Sequence, residues 1–256
     1  MTDTGFSYIT KEMPTDDAFS PSTFGSTDYN QFGVAVDSSG NVYATASGAN
    51  ELWEFSYADN SYTQASIANS DTGLNIPWGV AIDKNGNVFV ANTGANNVIE
   101  MTPVSPGAWS VNIIANSAKQ GLNQPEGIAV DGNGNVYIAD TANNRVVIMN
   151  NSAGTYTMSS TIFSGLSSPD GVAVDKSGNV FISDQGDSAI YEEALVDGSY
   201  TQSTVVSSGI SGPGDVAVDG NGNLYITDTS NDRVVEVPAV QSSAKPLAAR
   251  KIKHAI

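Results

Sequence analysis

Short apolar runs separated by polar turns fill most of this chain, and one such run returns five times. Each copy is a variant of Gly-Val-Ala-Val-Asp-x-x-Gly-Asn-Val-Tyr, and successive copies start 46, 48, 44 and 44 residues apart. The copies start at Gly33, Gly79, Gly127, Gly171 and Asp215. A period of this length predicts a repeat architecture, in which each unit buries its faces against its neighbours.

Within one unit the pattern predicts four antiparallel strands. In the third copy, the apolar run that starts at Gly127 leads into the turn Gly132–Asn135, whose glycines and asparagines accept positive φ. Further strands are expected over Val136–Ala139, Arg145–Met149 and Thr155–Phe163, and the repeats show no helical periodicity. Four-stranded units at this period are typical of propeller blades, so the predicted fold class is an all-β β-propeller.

Five copies predict five blades, with six as the alternative if residues 1–32 and 239–256 fold together. The fifth unit ends at Val237 without a clear fourth strand. The segment Phe6–Thr10 has the pattern of the other fourth strands, so we expect it to be the outer strand beside Arg233–Val237. Both termini would then complete the last blade and leave no open sheet edge. The longer connection at residues 16–30 is expected to be a surface loop.

The predicted domain organisation is a propeller over residues 1–238 followed by a basic tail over residues 239–256. The tail contains Lys245, Arg250, Lys251, Lys253 and His254. Its pattern fits a linker remnant, a frayed end or a second candidate for the closing strand.

The units resemble NHL repeats, and the resemblance covers residues 31–238. The matching motifs are Pro125–Asp131, Gly134–Asp140, Asn143–Val146, Pro213–Asp219, Asp228–Thr229 and Asn231–Val234. The resemblance implies a propeller whose relatives include protein- and peptide-binding modules, sensor domains of receptor kinases, RNA-binding modules and lyases such as streptogramin lyase. The family commonly has six blades, so five would depart from its pattern.

Composition and charge disfavour several of these functions. A formal net charge of −17 disfavours binding to RNA and to anionic lipid. The chain has no cysteine and its one histidine is His254, which leaves no thiolate, no Ser-His-Asp triad and none of the blade histidines that the lyase resemblance would require. We expect no membrane insertion, no signal peptide at Met1, a monomer, and an extracytoplasmic or secreted bacterial origin suggested by the lysine-poor, Asn/Ser/Thr-rich composition.

The turns are interpreted as structural. Asp131–Asn135 places oxygens at positions 1, 3 and 5 of a calcium loop, but Val136 and Ala142 stand where that loop needs glycine and glutamate. We therefore predict a hairpin turn in which the aspartate bonds its own backbone.

Two other repeated sets are also predicted to be structural. The aromatic residues of the second strands are expected in the core between blades. They are Tyr43, Phe89, Tyr137, Phe181 and Tyr225. Arg145 and Arg233 are expected to pair with Asp140 and Asp228 or with loop carbonyls.

The residue before each Gly-Val-Ala run changes from unit to unit, whereas the turns stay alike. We expect these variable residues on one face, at the mouth of the channel, with an aromatic part and an acidic part. They are Phe32, Trp78, Glu126, Asp170 and Asp215, the last following Gly214 in place of the usual glycine. Adjacent loops would add Asn92, Asp140, Asp184, Asp187 and Asp228. The alternative is a solvated rim without a ligand.

Two functions from different classes fit this pattern. The favoured one is a non-catalytic module that presents its loops to a protein, peptide or carbohydrate, with no cofactor and no catalytic residue. The alternative is a calcium-dependent hydrolase of the lactonase type, in which Glu126, Asp170 and Asp215 would bind the metal and the metal would activate water.

Overall fold

Strands dominate the structure, a computed structural model that describes residues 2–3, 8–15, 18–26, 31–59, 61–239 and 250–252. Five antiparallel sheets of four strands follow one another along the chain, and a sheet of three strands precedes them. Four-stranded antiparallel sheets at this period are the blades of a β-propeller, which confirms the predicted fold class and the five blades. Within the described ranges, helix is limited to the short α1 (Ser117–Gln120) and four 3₁₀ turns.

The chain forms two compact units, Met1–Gln124 and Pro125–Ile256. The first unit contains the three-stranded sheet, blade one and blade two. Its strands are β1 (Thr2–Asp3), β2 (Tyr8–Thr15) and β3 (Ala18–Ser26); β4 (Gln31–Val36), β5 (Val42–Ala46), β6 (Glu51–Ala58) and β7 (Ser61–Ala68) in blade one; and β8 (Pro77–Ile82), β9 (Val88–Asn92), β10 (Asn97–Ser105) and β11 (Ala108–Asn116) in blade two. Its 3₁₀ turns are Ser70–Thr72 and Thr93–Ala95.

The second unit contains blades three, four and five. Its strands are β12 (Pro125–Val130), β13 (Val136–Asp140), β14 (Arg145–Ser152) and β15 (Thr155–Phe163) in blade three; β16 (Pro169–Val174), β17 (Val180–Asp184), β18 (Ala189–Val196) and β19 (Ser199–Val206) in blade four; and β20 (Pro213–Val218), β21 (Leu224–Asp228), β22 (Arg233–Val237) and β23 (Arg250–Ile252) in blade five. Its 3₁₀ turns are Thr141–Asn143 and Thr229–Asn231.

The turn between the first and second strands is held by its aspartate. In blade three, Oδ1 of Asp131 accepts the backbone N–H groups of Asn133 and Asn135 at 2.8 and 2.9 Å, and Oδ2 accepts the Asn135 side chain at 2.8 Å. Gly134 adopts a φ of +83°, which a residue with a Cβ rarely does. Oδ1 of Asn135 then accepts the N–H of Asn151 on the third strand. The carboxylate is occupied by its own turn, so the predicted hairpin is confirmed.

The core lies between consecutive blades of each unit. Tyr137 and Val146 of blade three pack with Ile182 of blade four, and Phe181 of blade four packs with Ile226 of blade five. The second-strand aromatic is buried in the first four blades, as predicted. Tyr225 in blade five is partly exposed because its side of the sheet is accessible to solvent, so the core prediction is wrong there.

The predicted closure of the last blade by the N-terminus is wrong. Phe6 lies outside the described residues, but Tyr8–Thr15 pairs with Ala18–Ser26 and with Thr2–Asp3, and β22 pairs with Arg250–Ile252 of the tail. Thr15 is opposite Ala18, so β2 and β3 need only a two-residue connection, whereas pairing with β22 would join opposite ends of the chain at a larger entropic cost. The surface loop expected over residues 16–30 is replaced by β3 from residue 18 to residue 26.

Candidate functional site

The variable residues stand at the beginning of the first strand of each blade. Phe32 is the second residue of β4, and Trp78 holds the same place in β8. Glu126 and Asp170 repeat it in β12 and β16, while Asp215 is the third residue of β20. The structure brings the two aromatic residues together in the first unit and the three acidic residues together in the second. A single mouth that combines both groups stays a prediction.

In the first unit, Phe32 and Trp78 stack on each other. Their ring centroids lie 3.7 Å apart with an interplanar angle of 20°, and both side chains are half-buried. Trp78 is therefore not sealed inside the core, and part of the aromatic pair remains accessible to a ligand. Such a stack contributes about 0.5–1.5 kcal/mol beyond the area that it buries.

The stack depends on a close approach of two first strands. Gly33 has no side chain, and a Cβ placed there would lie 2.5 Å from the carbonyl oxygen of Trp78 and 2.8 Å from the nitrogen of Val80. The hydroxyl of Thr45 links the strands, because it accepts the N–H of Gly33 at 2.9 Å and donates to the carbonyl of Trp78. Glycine and a hydroxyl on the neighbouring strand thus set the distance between the two rings.

In the second unit, Glu126 and Asp170 form a hydrogen-bonded carboxyl pair. The two carboxyl groups are hydrogen-bond partners of each other, which requires a proton between them, and the side-chain nitrogen of Gln185 donates to Oδ2 of Asp170 at 3.3 Å. Gly127 permits this contact, because a Cβ there would lie 2.8 Å from the Cα of Gly171 and nearer still to the carbonyl oxygen of Asp170.

Asp215 is the third member of this acidic group. Its Oδ1 accepts the N–H of Val216 at 2.8 Å, and its own N–H donates to the Thr227 hydroxyl at 2.6 Å. A Cβ at Gly171 would collide with Oδ1 of Asp215, so the glycine of blade four makes room for the carboxyl of blade five. Asp215 stands where the other repeats have glycine, and the missing side chain of Gly171 in the neighbouring blade gives it the necessary space.

The electrostatics favour protonation of this group. Burial raises the pKa of Asp170 to about 8, and the negative charges of Glu126 and Asp215 raise it further. Burial also raises the pKa of Glu126, although hydrogen bonds from Asp170 and Thr141 partly oppose that effect. Burial of its carboxyl group raises the pKa of Asp215 to about 6, although the residue as a whole is exposed. Near neutral pH the Glu126–Asp170 pair therefore shares a proton.

The polar residues of the adjacent loops have structural roles. Asp140 and Asp228 are buried and form ion pairs with Arg145 and Arg233 at 2.6 and 2.5 Å, as predicted for these arginines. Asp184 is buried and accepts N–H groups of its own unit. Two further residues complete the set. Asn92 accepts the N–H of Asn75, and Asp187 accepts the hydroxyl of Tyr191.

Sequence reasoning missed the residues that position the variable ones. These are Thr45 and its counterpart Ser183, which accepts the N–H of Gly171 at 2.8 Å and donates to the carbonyl of Gly214 at 2.9 Å. Gln185, which contacts Asp170, was also missed. The sequence signal that could have identified Thr45 and Ser183 is a hydroxyl at the fourth position of the second strand, after three apolar residues.

The acidic residues do not form a recognisable metal centre. Over the described ranges, no group of three or more His, Cys, Asp and Glu side chains could hold a metal ion. The turn aspartates are occupied by their own backbone, as in blade three.

Among the residues that the structure describes, no helix has the length and apolar character needed to cross a membrane.

Comparison with known proteins supports the repeat type and the fold. The NHL repeat matches residues 74–99, 122–149 and 211–236, so three of the repeats of this β-propeller are similar to NHL repeats. No curated protein matches the sequence.

Several solved structures have the same fold at low sequence identity. A structure of the nidogen/laminin complex shares 20% identity over 91% of this chain and 86% of that chain, with a TM-score of 0.74. Virginiamycin B lyase from Staphylococcus aureus shares 16% identity over 96% and 74% of the two chains, with a TM-score of 0.62. A streptogramin B lyase shares 12% over 87% and 70%, with a TM-score of 0.64. Identities this low establish the fold alone.

Proposed function

We propose that this protein is a non-catalytic binding module whose ligand contacts the variable residues. The observation that carries the proposal is the contrast between two parts of each repeat. The Asp-x-x-Gly-Asn turns keep their aspartate, glycine and asparagine in all five blades. The starts of the first strands instead change from two stacked aromatic residues to three acidic residues that lie together. Scaffold positions of a repeat should look alike, and positions that contact an asymmetric ligand need not.

The two groups of variable residues favour different chemical groups. The half-buried Phe32–Trp78 stack offers an aromatic surface to a sugar ring or to a cationic group. The Glu126–Asp170–Asp215 group has no arginine or lysine among its hydrogen-bond partners in the described ranges, so a cationic group would complete it. A cationic group, as on a basic peptide or an amino sugar, meets the requirement of either group.

A catalytic role is less well supported. Among the structural neighbours, a virginiamycin B lyase in which a histidine is replaced by alanine is catalytically inactive. The one histidine of this chain, His254, lies in the tail, outside the described residues. The neighbour from the nidogen/laminin complex is a protein taken from a binding complex, which agrees with a binding role. No observation on the acidic group favours the calcium-dependent hydrolase.

The test is a screen of glycans and basic peptides against the protein and against a Trp78→Ala, Asp170→Asn double variant. We expect ligands of the unaltered protein to lose about tenfold or more in affinity, because a buried polar or aromatic contact is worth about 1–3 kcal/mol. Asp71→Asn, an exposed aspartate in a 3₁₀ turn of the first unit, is the matched control and should bind normally.

Calcium titration by calorimetry separates this function from the metal hydrolase. A binding module should show only weak, non-saturable association of calcium with an acidic surface. One tight site that Asp170→Asn removes, together with hydrolysis of a lactone, would replace the binding proposal by the hydrolase.

A further inference from the structure

Ile76, the residue before the proline that begins β8, has a left-handed backbone. Its φ is 48°, and its side chain is 46% exposed. This region is unfavourable for any residue with a Cβ, because the Cβ approaches the following carbonyl oxygen, and it is a genuine outlier for a β-branched residue. Strain of this kind persists only where the surrounding structure imposes it, and it is typical of functional sites.

Hydrogen bonds to blade one hold the backbone of Ile76 in this conformation. Its own N–H donates to Oδ1 of Asn50 at 2.6 Å. The carbonyl of the following residue, Pro77, accepts the hydroxyl of Ser47 at 2.5 Å. Both contacts use main-chain atoms of the loop, so they persist whatever side chain residue 76 carries. The fold therefore fixes the backbone here without a need for isoleucine.

Three other repeats have the same backbone at this position but a different type of residue. Gln124, Ser168 and Gly212 each precede the proline of the next first strand. Their φ values are 50°, 58° and 53°, close to that of Ile76. None of the three is β-branched or aliphatic, and glycine carries no Cβ penalty at all. Among these four positions, blade two alone has an exposed aliphatic side chain that costs backbone strain.

Ile76 lies next to the aromatic pair among the variable residues. Only Pro77 separates it from Trp78, so the two Cα atoms are at most about 7 Å apart. Trp78 is half-buried and stacks on Phe32 within the same unit. The chain thus places an aliphatic side chain beside an accessible aromatic one. Such a side chain stabilises a complex only when an apolar group of the ligand covers it.

We propose that Ile76 is a specificity-determining residue and that the ligand is a basic peptide with an aliphatic side chain next to a cationic one. The aliphatic side chain packs on Ile76, and the cationic one lies on the indole of Trp78. A sugar fits less well, because its hydroxyls would lose water against Ile76 without gaining a hydrogen bond. The formal charge of −17 favours a basic ligand. This proposal rests on the proposed function, because it requires that the ligand contacts Trp78.

The first test measures what Ile76 costs the free protein. Asparagine tolerates a left-handed backbone, as Asn50 does with a φ of 57°. Relief of strain should exceed the loss of partial packing, so Ile76→Asn should raise the melting temperature by roughly 2–4 °C. Val104→Asn is the matched control, because Val104 is a 63% exposed aliphatic residue of β10 without a positive φ. A melting temperature of Ile76→Asn no higher than that of the control would overturn the proposal.

The second test measures the preference for an aliphatic side chain in the ligand. The probes are fluorescein-labelled (Leu-Lys)₃ and (Ser-Lys)₃, which carry equal charge, and a labelled glucosamine trimer; binding to the full chain is followed by fluorescence anisotropy. The unaltered protein should bind the leucine peptide roughly tenfold more tightly than the serine peptide, because leucine buries apolar surface. Ile76→Asn should reduce this ratio to roughly threefold or less, and the conservative Ile76→Val should keep most of it.

The outcomes separate this proposal from the proposed function. An equal leucine-to-serine ratio in Ile76→Asn and Val104→Asn would overturn the role of Ile76. Tighter binding of the glucosamine trimer than of either peptide would also overturn it, and loss of that binding in Trp78→Ala would leave the proposed function standing. Peptide affinities that Trp78→Ala leaves unchanged would remove the proposed function, and the role of Ile76 with it.

Discussion

The close approach of first strands makes Gly127 the most informative position for a stability measurement. An alanine Cβ there would lie 2.8 Å from the Cα of Gly171 and 3.0 Å from the nitrogen of Val172, and nearer still to the carbonyl oxygen of Asp170. All three atoms belong to the backbone, so no side-chain rotation can relieve the contact. Blades three and four would have to move apart, and the Glu126–Asp170 hydrogen bond would be lengthened.

Overpacking of a well-packed interior costs about 1–3 kcal/mol. For a chain of this size, each kcal/mol lowers the melting temperature by roughly 2–4 °C. We therefore expect Gly127→Ala to lower the melting temperature by roughly 2–12 °C in a thermal scan followed by circular dichroism. The denaturant midpoint should fall in parallel.

Gly132→Ala in the same blade is the control. No atom lies within 4 Å of a Cβ at Gly132, and its φ is outside the left-handed region, so the change should be neutral or slightly stabilising. A melting temperature for Gly127→Ala equal to that of Gly132→Ala would refute the close approach, and with it the geometry on which the acidic group depends.

Two further predictions concern the charged groups of the second unit. The folded pKa of Asp170 is raised to about 8, so the folded state holds a proton that the unfolded state releases near about pH 4. The free energy of unfolding should therefore fall as the pH rises from about 5 to about 8, and Asp170→Asn should flatten this dependence in melting curves. Arg145→Ala leaves the buried Asp140 without its guanidinium and should lower the free energy of unfolding by about 3 kcal/mol in urea titrations, whereas an Arg145→Ala, Asp140→Asn double variant should recover part of that loss.

The sequence predicts the blades well because each blade is a local structure. The turn at Asp131 needs only its own residues, and the alternation of apolar and polar positions sets the strands on either side of it. The closure of the last blade could not be predicted in the same way. Phe6–Thr10 has the same pattern as the other outer strands, and a pattern does not specify which edge a strand joins. The short connection between β2 and β3 decides the pairing of Tyr8–Thr15.

The site was predicted in part for a similar reason. A break in the repeat identifies Phe32, Trp78 and Asp170, but their contacts depend on how closely two blades approach. That distance is set by glycines and by the hydroxyls of Thr45 and Ser183. Asp140, predicted for the ligand site with other loop aspartates, is buried instead, and the arginine five residues later is the sequence signal for that role.

The exposure of Tyr225 shows a limit of arguments from repeats. Its sequence context, Gly-Asn-Leu-Tyr-Ile-Thr-Asp, is close to the Gly-Asn-Val-Tyr-Ile-Ala-Asp around Tyr137, yet Tyr137 is 3% exposed and Tyr225 is partly accessible. Burial of a repeated residue depends on what packs against its unit, and that is not part of the repeat itself.

The central claim, that a ligand contacts the variable residues, can be tested directly by the tryptophan indole resonances in an NMR titration. The chain has three tryptophans, Trp53, Trp78 and Trp109, and only Trp78 belongs to the variable residues. Titration with a basic peptide or glycan from the screen should shift the indole N–H resonance of Trp78 and leave the other two in place. A ligand that shifts Trp53 or Trp109 while Trp78 stays unchanged would contradict the account.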